Sequence, residues 1–138
     1  MDREELKKYL PHREPMLLVD EVEIDEAGVA HAKYRIKDDE FFCRGHFPGN
    51  PVMAGGLIIE ALAQTGAVAL LSMPENKGRL ALFGGIKNAK FKGKVVPGDV
   101  LMLETSIIKM KGPVGVGDAK AYVDGKVVAT AEITFMLA

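Results

Sequence analysis

The sequence predicts an α+β fold in which a curved, mainly antiparallel sheet wraps one long helix, and three observations carry that prediction. Residues 57–71, LIIEALAQTGAVALL, are apolar on every side, so a helix there is stable only if other elements cover it completely. The stretches 80–86, 89–96, 100–109, 116–123 and 126–136 are rich in branched and alternating residues and read as strands. Asp124-Gly125 between alternating runs is a two-residue hairpin signal, and Pro97-Gly98 suits a type II turn, so the strands they join run antiparallel. One greasy helix and several long strands bury each other most economically when the sheet curves around the helix.

Taken in order, residues 2–9 read as a short amphipathic helix opened by Asp2 and stopped by Pro11. LPHREP then carries His12 and Arg13 between prolines, where a histidine is more often a loop residue holding local structure than a catalyst. Residues 16–24 and 29–36 form two strands of a hairpin around DEAG, with His31 facing solvent. The acidic DDE at 38–40 leads through Phe41, Phe42 and Cys43 into the turn-rich GHFPGNP, which delivers His46. Cys43, beside two phenylalanines, reads as a small packing residue rather than a nucleophile. After the helix, PENKGR is a loop, and 80–86 with 89–96 can be one long bent strand.

At 138 residues the chain suits a single domain, 1–138, long enough to bury a core. A net charge of -1 with both signs interspersed gives no reason to propose nucleic acid as the partner. The single cysteine excludes an intramolecular disulfide framework. MDREELKKYL lacks the apolar core and cleavage site of a signal peptide, so a cytoplasmic location is expected. The apolar run 52–73 has the length of a membrane span, but Glu60 sits near its centre and no basic residues flank it closely, which argues against insertion.

Glu60 and Gln64 share one face of the helix, and a carboxylate in that setting is costly unless it is paired or functional. Alone, His46 reads as a structural histidine and Glu60 as half of a buried ion pair. With Gly55 and Gly56 at the helix start they suggest chemistry instead. The first amides of a helix lack intrahelical partners and favour negative charge, and glycines let a ligand approach them. A histidine before the helix and a carboxyl group a turn or two inside it would flank that position. The set suits proton abstraction beside a carbonyl, with the amides holding the enolate oxygen and the carboxylic acid protonating a group that leaves from the next carbon. It requires no metal and no organic cofactor.

GHFPGNPVMAGGLIIEALAQ resembles the signature of the (3R)-hydroxyacyl-[acyl-carrier-protein] dehydratases of bacterial fatty-acid synthesis, the FabZ type. LPHREPMLLVDEV, VVPGD and YVDGKVVATAE extend the resemblance over nearly the whole chain. It implies a hot-dog fold, an antiparallel sheet around a long central helix, and a homodimer with its active sites between subunits, typically assembled as a trimer of dimers. It also implies His46 as the base, Glu60 of the other subunit assisting loss of the hydroxyl, and the Gly55 amide as oxyanion donor. A related dehydratase that also isomerises its product carries aspartate at the Glu60 position, so Glu60 favours dehydration alone. Ala54 replaces the family's usual proline, Gly56 a bulky aliphatic residue, and Glu14 a common aromatic. The implied partner is acyl carrier protein, which is acidic; Lys87, Lys90, Lys92 and Lys94, with Arg44, are candidates to steer it, against the plainer reading of a solvated strand face. A hot-dog thioesterase and a non-enzymatic acyl-binding module are the competing functions.

Overall fold

The computed structural model describes residues 1–44 and 49–138, with the backbone alone for Arg44. The chain opens with helix α1 (Arg3–Leu6), where the Asp2 carboxylate accepts the Glu5 amide and the Glu5 side chain accepts the Asp2 amide. That reciprocal pairing satisfies two donors that a helix start leaves free. The hairpin β1 (Glu21–Ile24) and β2 (Ala30–Arg35) follows, then a short 3-10 turn at Phe41–Arg44. Helix α2 (Gly55–Leu71) is the long element, and a second 3-10 turn, Pro74–Asn76, leads out of it. The rest is sheet: β3 (Ala81–Phe91), β4 (Val100–Lys111), β5 (Val114–Val123) and β6 (Lys126–Leu137). The six strands lie in the order β1-β2-β4-β5-β6-β3, every neighbouring pair antiparallel.

Both turn expectations hold. Asp99 N–H donates to the Val96 carbonyl at 3.0 Å with Gly98 at φ 95°, closing a type II turn. Asp124 and Gly125 take φ of 51° and 77°, the two left-handed residues a tight hairpin between twisted strands needs. The 80–86 and 89–96 stretches join into the single strand β3, bent where its pairing with β6 shifts register on either side of Gly84 and again around Asn88, which has φ 55°. The Lys92 amide still donates to the Val128 carbonyl of β6 at 2.8 Å; beyond it the chain leaves the ladder, and the Val95 carbonyl accepts the Met53 amide at 2.7 Å, tying this segment to the approach of α2.

The 16–24 strand forms only at its end, as β1. Before it, Leu17, Leu18 and Val19 are buried, and the polar groups of 16–19 find side chains instead of a neighbouring strand. Gln64 accepts the Leu18 amide at 2.8 Å and donates to the Met16 carbonyl at 2.7 Å, while Arg3 donates to the carbonyls of Leu17 and Val19. Once those partners are taken, no ladder is required. Arg3 also pairs with Glu14 at 3.1 Å, and Lys7 reaches Glu14 at 3.3 Å. The Glu14 carboxyl is held down at about 2 by its own backbone amide first and then by Arg3 and Lys7, so the position the family gives to an aromatic here serves a surface charge network.

Of residues 58–71 every one is buried except Glu60. The concave side of the sheet supplies the cover, with inward residues alternating along each strand: Leu101, Leu103 and Thr105 on β4, Ala119 and Ala121 on β5, Ala129, Ala131, Ile133 and Phe135 on β6. Each fully buried leucine or isoleucine contributes about 1.5–3 kcal/mol. The closest approach is at Gly66, where an added Cβ would stand 2.6 Å from Phe135 Cζ and 2.7 Å from Thr105 Cγ2. Thr105 is itself pinned by donating to the Leu62 carbonyl at 2.9 Å. The sheet is not covered everywhere. Among the described residues β3 is an edge strand bonded only to β6, and it exposes Leu82 at 53%, Phe83 at 45%, Ile86 at 47% and Phe91 at 53%. Among the described residues no helix is long and apolar enough to cross a membrane.

Gly66→Val should destabilise the protein by about 2 kcal/mol, because neither a buried ring nor a pinned threonine can retreat from the new methyls. Urea unfolding measures this; an unchanged midpoint would mean that the helix–sheet spacing is slack.

Candidate active site

Glu60, the one residue of 58–71 that is not buried, lines a cavity. The space is about 160 Å³, with Ala63, Ala67 and Phe135 as its apolar wall, Leu82 and Phe83 of the β3 edge as its rim, and His12, Glu60 and Gln64 as its polar lining. The Glu60 side chain is 21% exposed. Burial pushes its carboxyl above the ordinary value, with the Gln64 amide pulling the other way. A carboxyl group in this setting holds its proton to a higher pH than a surface glutamate does.

His12 stands beside it, with Nε2 3.9 Å from Glu60 Oε1. Burial and the neighbouring Arg13 push the imidazole below its ordinary value, so it is neutral at neutral pH. Sequence reasoning gave His12 a local structural role and missed this contact; the signal available was its place in LPHREPMLLVDEV, one of the stretches that carry the family resemblance.

Gly55 opens α2. Ala54 precedes it with φ −62°, the value a proline ring would fix, and offers no side-chain cap, so the first amides keep no intrahelical partner. Gly55 has a packing reason as well: an added Cβ would lie 2.7 Å from Phe91 Cε1. At Gly56 a Cβ would meet nothing, so the family's bulky residue is absent without a contact that demands glycine. Gly55, Gly56, Phe91 and Lys94 line a second cavity of about 440 Å³. Five positions along a helix turn roughly 500°, so Gly55 and Glu60 point about 140° apart. Within one chain the two lie in separate cavities and do not flank a common position.

His46 lies outside the described residues, as does the Arg44 side chain. The approach to that loop is fixed: Tyr34 donates to Glu40 at 2.6 Å, and Glu40 also accepts the Lys37 amide. Burial, reinforced by Glu40, raises the Tyr34 hydroxyl, which stays protonated as a donor. Cys43 packs against the core, its thiol raised by burial and by the Glu40 and Asp38 carboxylates, which suits a packing residue and not a thiolate. His31 is exposed and pairs with Asp25 at 2.9 Å. Lys87 and Lys90 lie on β3, Lys92 just beyond it and Lys94 at the Gly55 cavity, all exposed. Among the described residues no three His, Cys, Asp or Glu side chains are grouped to hold a metal.

The FabA-like domain family matches residues 10–132. The chain is 57% identical over 138 residues to a 3-hydroxyacyl-[acyl-carrier-protein] dehydratase FabZ of Ligilactobacillus salivarius, with 99% of each chain covered. It is 56% identical over 138 residues to a protein of the same description from Clostridium botulinum strain Loch Maree, covering 99% of this chain and 96% of the relative. Among solved structures a dehydratase heterocomplex from Xenorhabdus doucetiae matches with a TM-score of 0.82 at 18% identity, over 96% of this chain and 90% of that one. A thioesterase from Pseudomonas aeruginosa matches with 0.75 at 17% identity, over 100% and 94%. These two share the hot-dog fold; the sequence relatives decide the family. The match over residues 10–132, together with identity above half over the full length, assigns the chain to the FabA-like family as one of its FabZ dehydratases.

Proposed function

We propose that this protein dehydrates (3R)-3-hydroxyacyl chains carried on acyl carrier protein to the trans-2-enoyl product, in cytoplasmic fatty-acid synthesis. His46 takes the proton from the carbon next to the thioester carbonyl, and the electron pair moves to form an enolate whose oxygen is held by the Gly55 amide. As the enolate collapses to the double bond, the carbon–oxygen bond beyond it breaks, and the Glu60 proton goes with the hydroxyl as water. The observation that carries this reading is the setting of Glu60, in a cavity walled by Ala63, Ala67 and Phe135, where burial favours the protonated form that an acid assisting a leaving hydroxyl needs. A thioesterase that activated water through Glu60 would need the ionised form instead. Assay of 3-hydroxyacyl carrier-protein substrates for conjugated enoyl product against free thiol separates the two.

The working unit in this proposal is a homodimer with sites shared between chains, itself assembled as a trimer of dimers. Gly55 and Glu60 lie too far around α2 to serve one substrate within a chain, and the Glu60 cavity opens at β3, whose free edge and exposed Leu82, Phe83 and Ile86 suit pairing with a second copy. We take residues 1–138 as one domain, supported by a single core running from Leu6 to Leu137. Lys94 beside Gly55, followed by Lys87, Lys90 and Lys92 along β3 and Arg44 before the histidine loop, are the proposed basic contacts for the acidic carrier protein.

Two outcomes test this. His46→Ala and Glu60→Gln should each fold and lose dehydration, by about 10²- to 10⁴-fold for the base. Coexpressed, they should regain part of the activity, because each heterodimer holds one site with both groups native; verified heterodimers without recovered activity would count against the shared site. The second concerns pH. The Glu60 carboxyl is raised from its ordinary 4.5, so its contribution to stability is full below that value and is lost as pH rises through the raised one. The stability of wild type minus that of Glu60→Gln, from urea unfolding, should therefore decline with pH and then level off; a difference that is flat from pH 4 to 9 would put this carboxyl in solvent.

A further inference from the structure

We propose that His12 is a positioning residue for the reaction assigned above, presenting Nε2–H to the Glu60 carboxyl and so aiming the acid. The inference rests on that functional reading for its catalytic consequence, and on geometry for the pairing itself.

Glu60 has few groups to orient it. Among the described residues its cavity offers only His12 and Gln64 as polar neighbours, with no further titratable side chain in the lining. Gln64 has no donor left: its Oε1 accepts the Leu18 amide, one N–H donates to the Met16 carbonyl, and its hydrogen bond to Glu60 takes the other. His12 is the group with unspent capacity. Its Nε2 stands 3.9 Å from Glu60 Oε1, longer than a hydrogen bond but closed by a small side-chain rotation.

The other ring nitrogen says which atom carries the proton. Nδ1 is buried and has no hydrogen-bond partner among the described residues. A buried N–H without an acceptor is a rarer and costlier orphan than a bare lone pair. The stable neutral tautomer therefore leaves Nδ1 bare and places the proton on Nε2, on the side that faces Glu60. On the loop itself Arg13 turns back to the carbonyls of Leu10 and His12 and fixes the chain while disfavouring a charged imidazole.

The two side chains are also held by one anchor. Gln64 sits one turn after Glu60 and fastens the segment that follows His12, so the loop and the acid are anchored to the same stretch of α2. When Glu60 gives its proton to the leaving hydroxyl it becomes a carboxylate in an apolar cavity. A neutral Nε2–H at that position stabilises the carboxylate as it forms and keeps the acid strong enough to transfer its proton.

The experiment follows the Glu60 carboxyl directly, by carbon-13 NMR titration of glutamate-labelled protein, with the signal assigned by its loss in Glu60→Gln. In His12→Phe the midpoint should rise by about one pH unit or more, because a donor is lost in a site that stays apolar. His12→Gln, which keeps an N–H near the Nε2 position, should bring it back toward wild type. Kinetics on the same proteins should show kcat reduced about tenfold in His12→Phe with KM little changed, an alkaline limb displaced upward with the midpoint, and recovery in His12→Gln. An unmoved midpoint in folded His12→Phe overturns the proposal. So does an equal loss of kcat in both variants without any displacement, which would make His12 a packing residue. If the midpoint moves as expected but the wild-type protein forms no enoyl product, the pairing stands and the dehydratase reading fails.

Discussion

Gln64 makes two hydrogen bonds, to Leu18 and Met16, and much of the molecule depends on them. The helix that carries it is apolar on every face and survives only under complete cover, yet the segment that covers this face has no strand to pair with. A buried amide that donates and accepts in opposite directions satisfies both exposed backbone groups of that segment at once. The stretch 16–19 can then lie against the helix as plain extended chain, and the loop before it is delivered to the cavity where Glu60 opens.

The remaining faces of α2 are covered by the sheet, and there small residues decide how close the layers come. Gly66 admits Phe135 and Thr105 to near contact, and Gly117 on β5 lets the same two side chains lie flat. Because these contacts leave no slack, the orientation of α2 about its own axis is fixed. Glu60 consequently faces the β3 edge, while Gly55 faces Phe91 and Lys94. A helix set in this way divides the groups of the proposed chemistry between two sides, and the exposed apolar edge of β3 offers a second chain the means to reunite them.

Sequence patterns exposed the fold where the physics is local. The two turns at Pro97-Gly98 and Asp124-Gly125 are encoded by backbone preferences of the residues themselves, and the strands 100–111, 114–123 and 126–137 follow from alternation on a sheet with one buried face. Reading failed where a distant partner substituted for local pairing. The stretch 16–19 has strand composition but takes its partners from Arg3 and Gln64; residues 93–96 have it too, and leave the ladder to hold Met53.

For the site, the sequence by itself determined the family, the helix and the carboxyl group: a glutamate in an otherwise apolar helix is conspicuous because burial of a charge is costly wherever the helix is placed. It also marked Gly55 and Gly56 at the start of that helix, and the family resemblance chose Gly55 between them. Only the tertiary structure decided that Gly55 and Glu60 face different cavities, because the azimuth of a helix greasy on all sides is set by how it packs and not by its own pattern. It alone brought His12 to Glu60, since that contact spans two elements far apart in the chain and depends on the hydrogen bonds of Gln64 to fasten one upon the other.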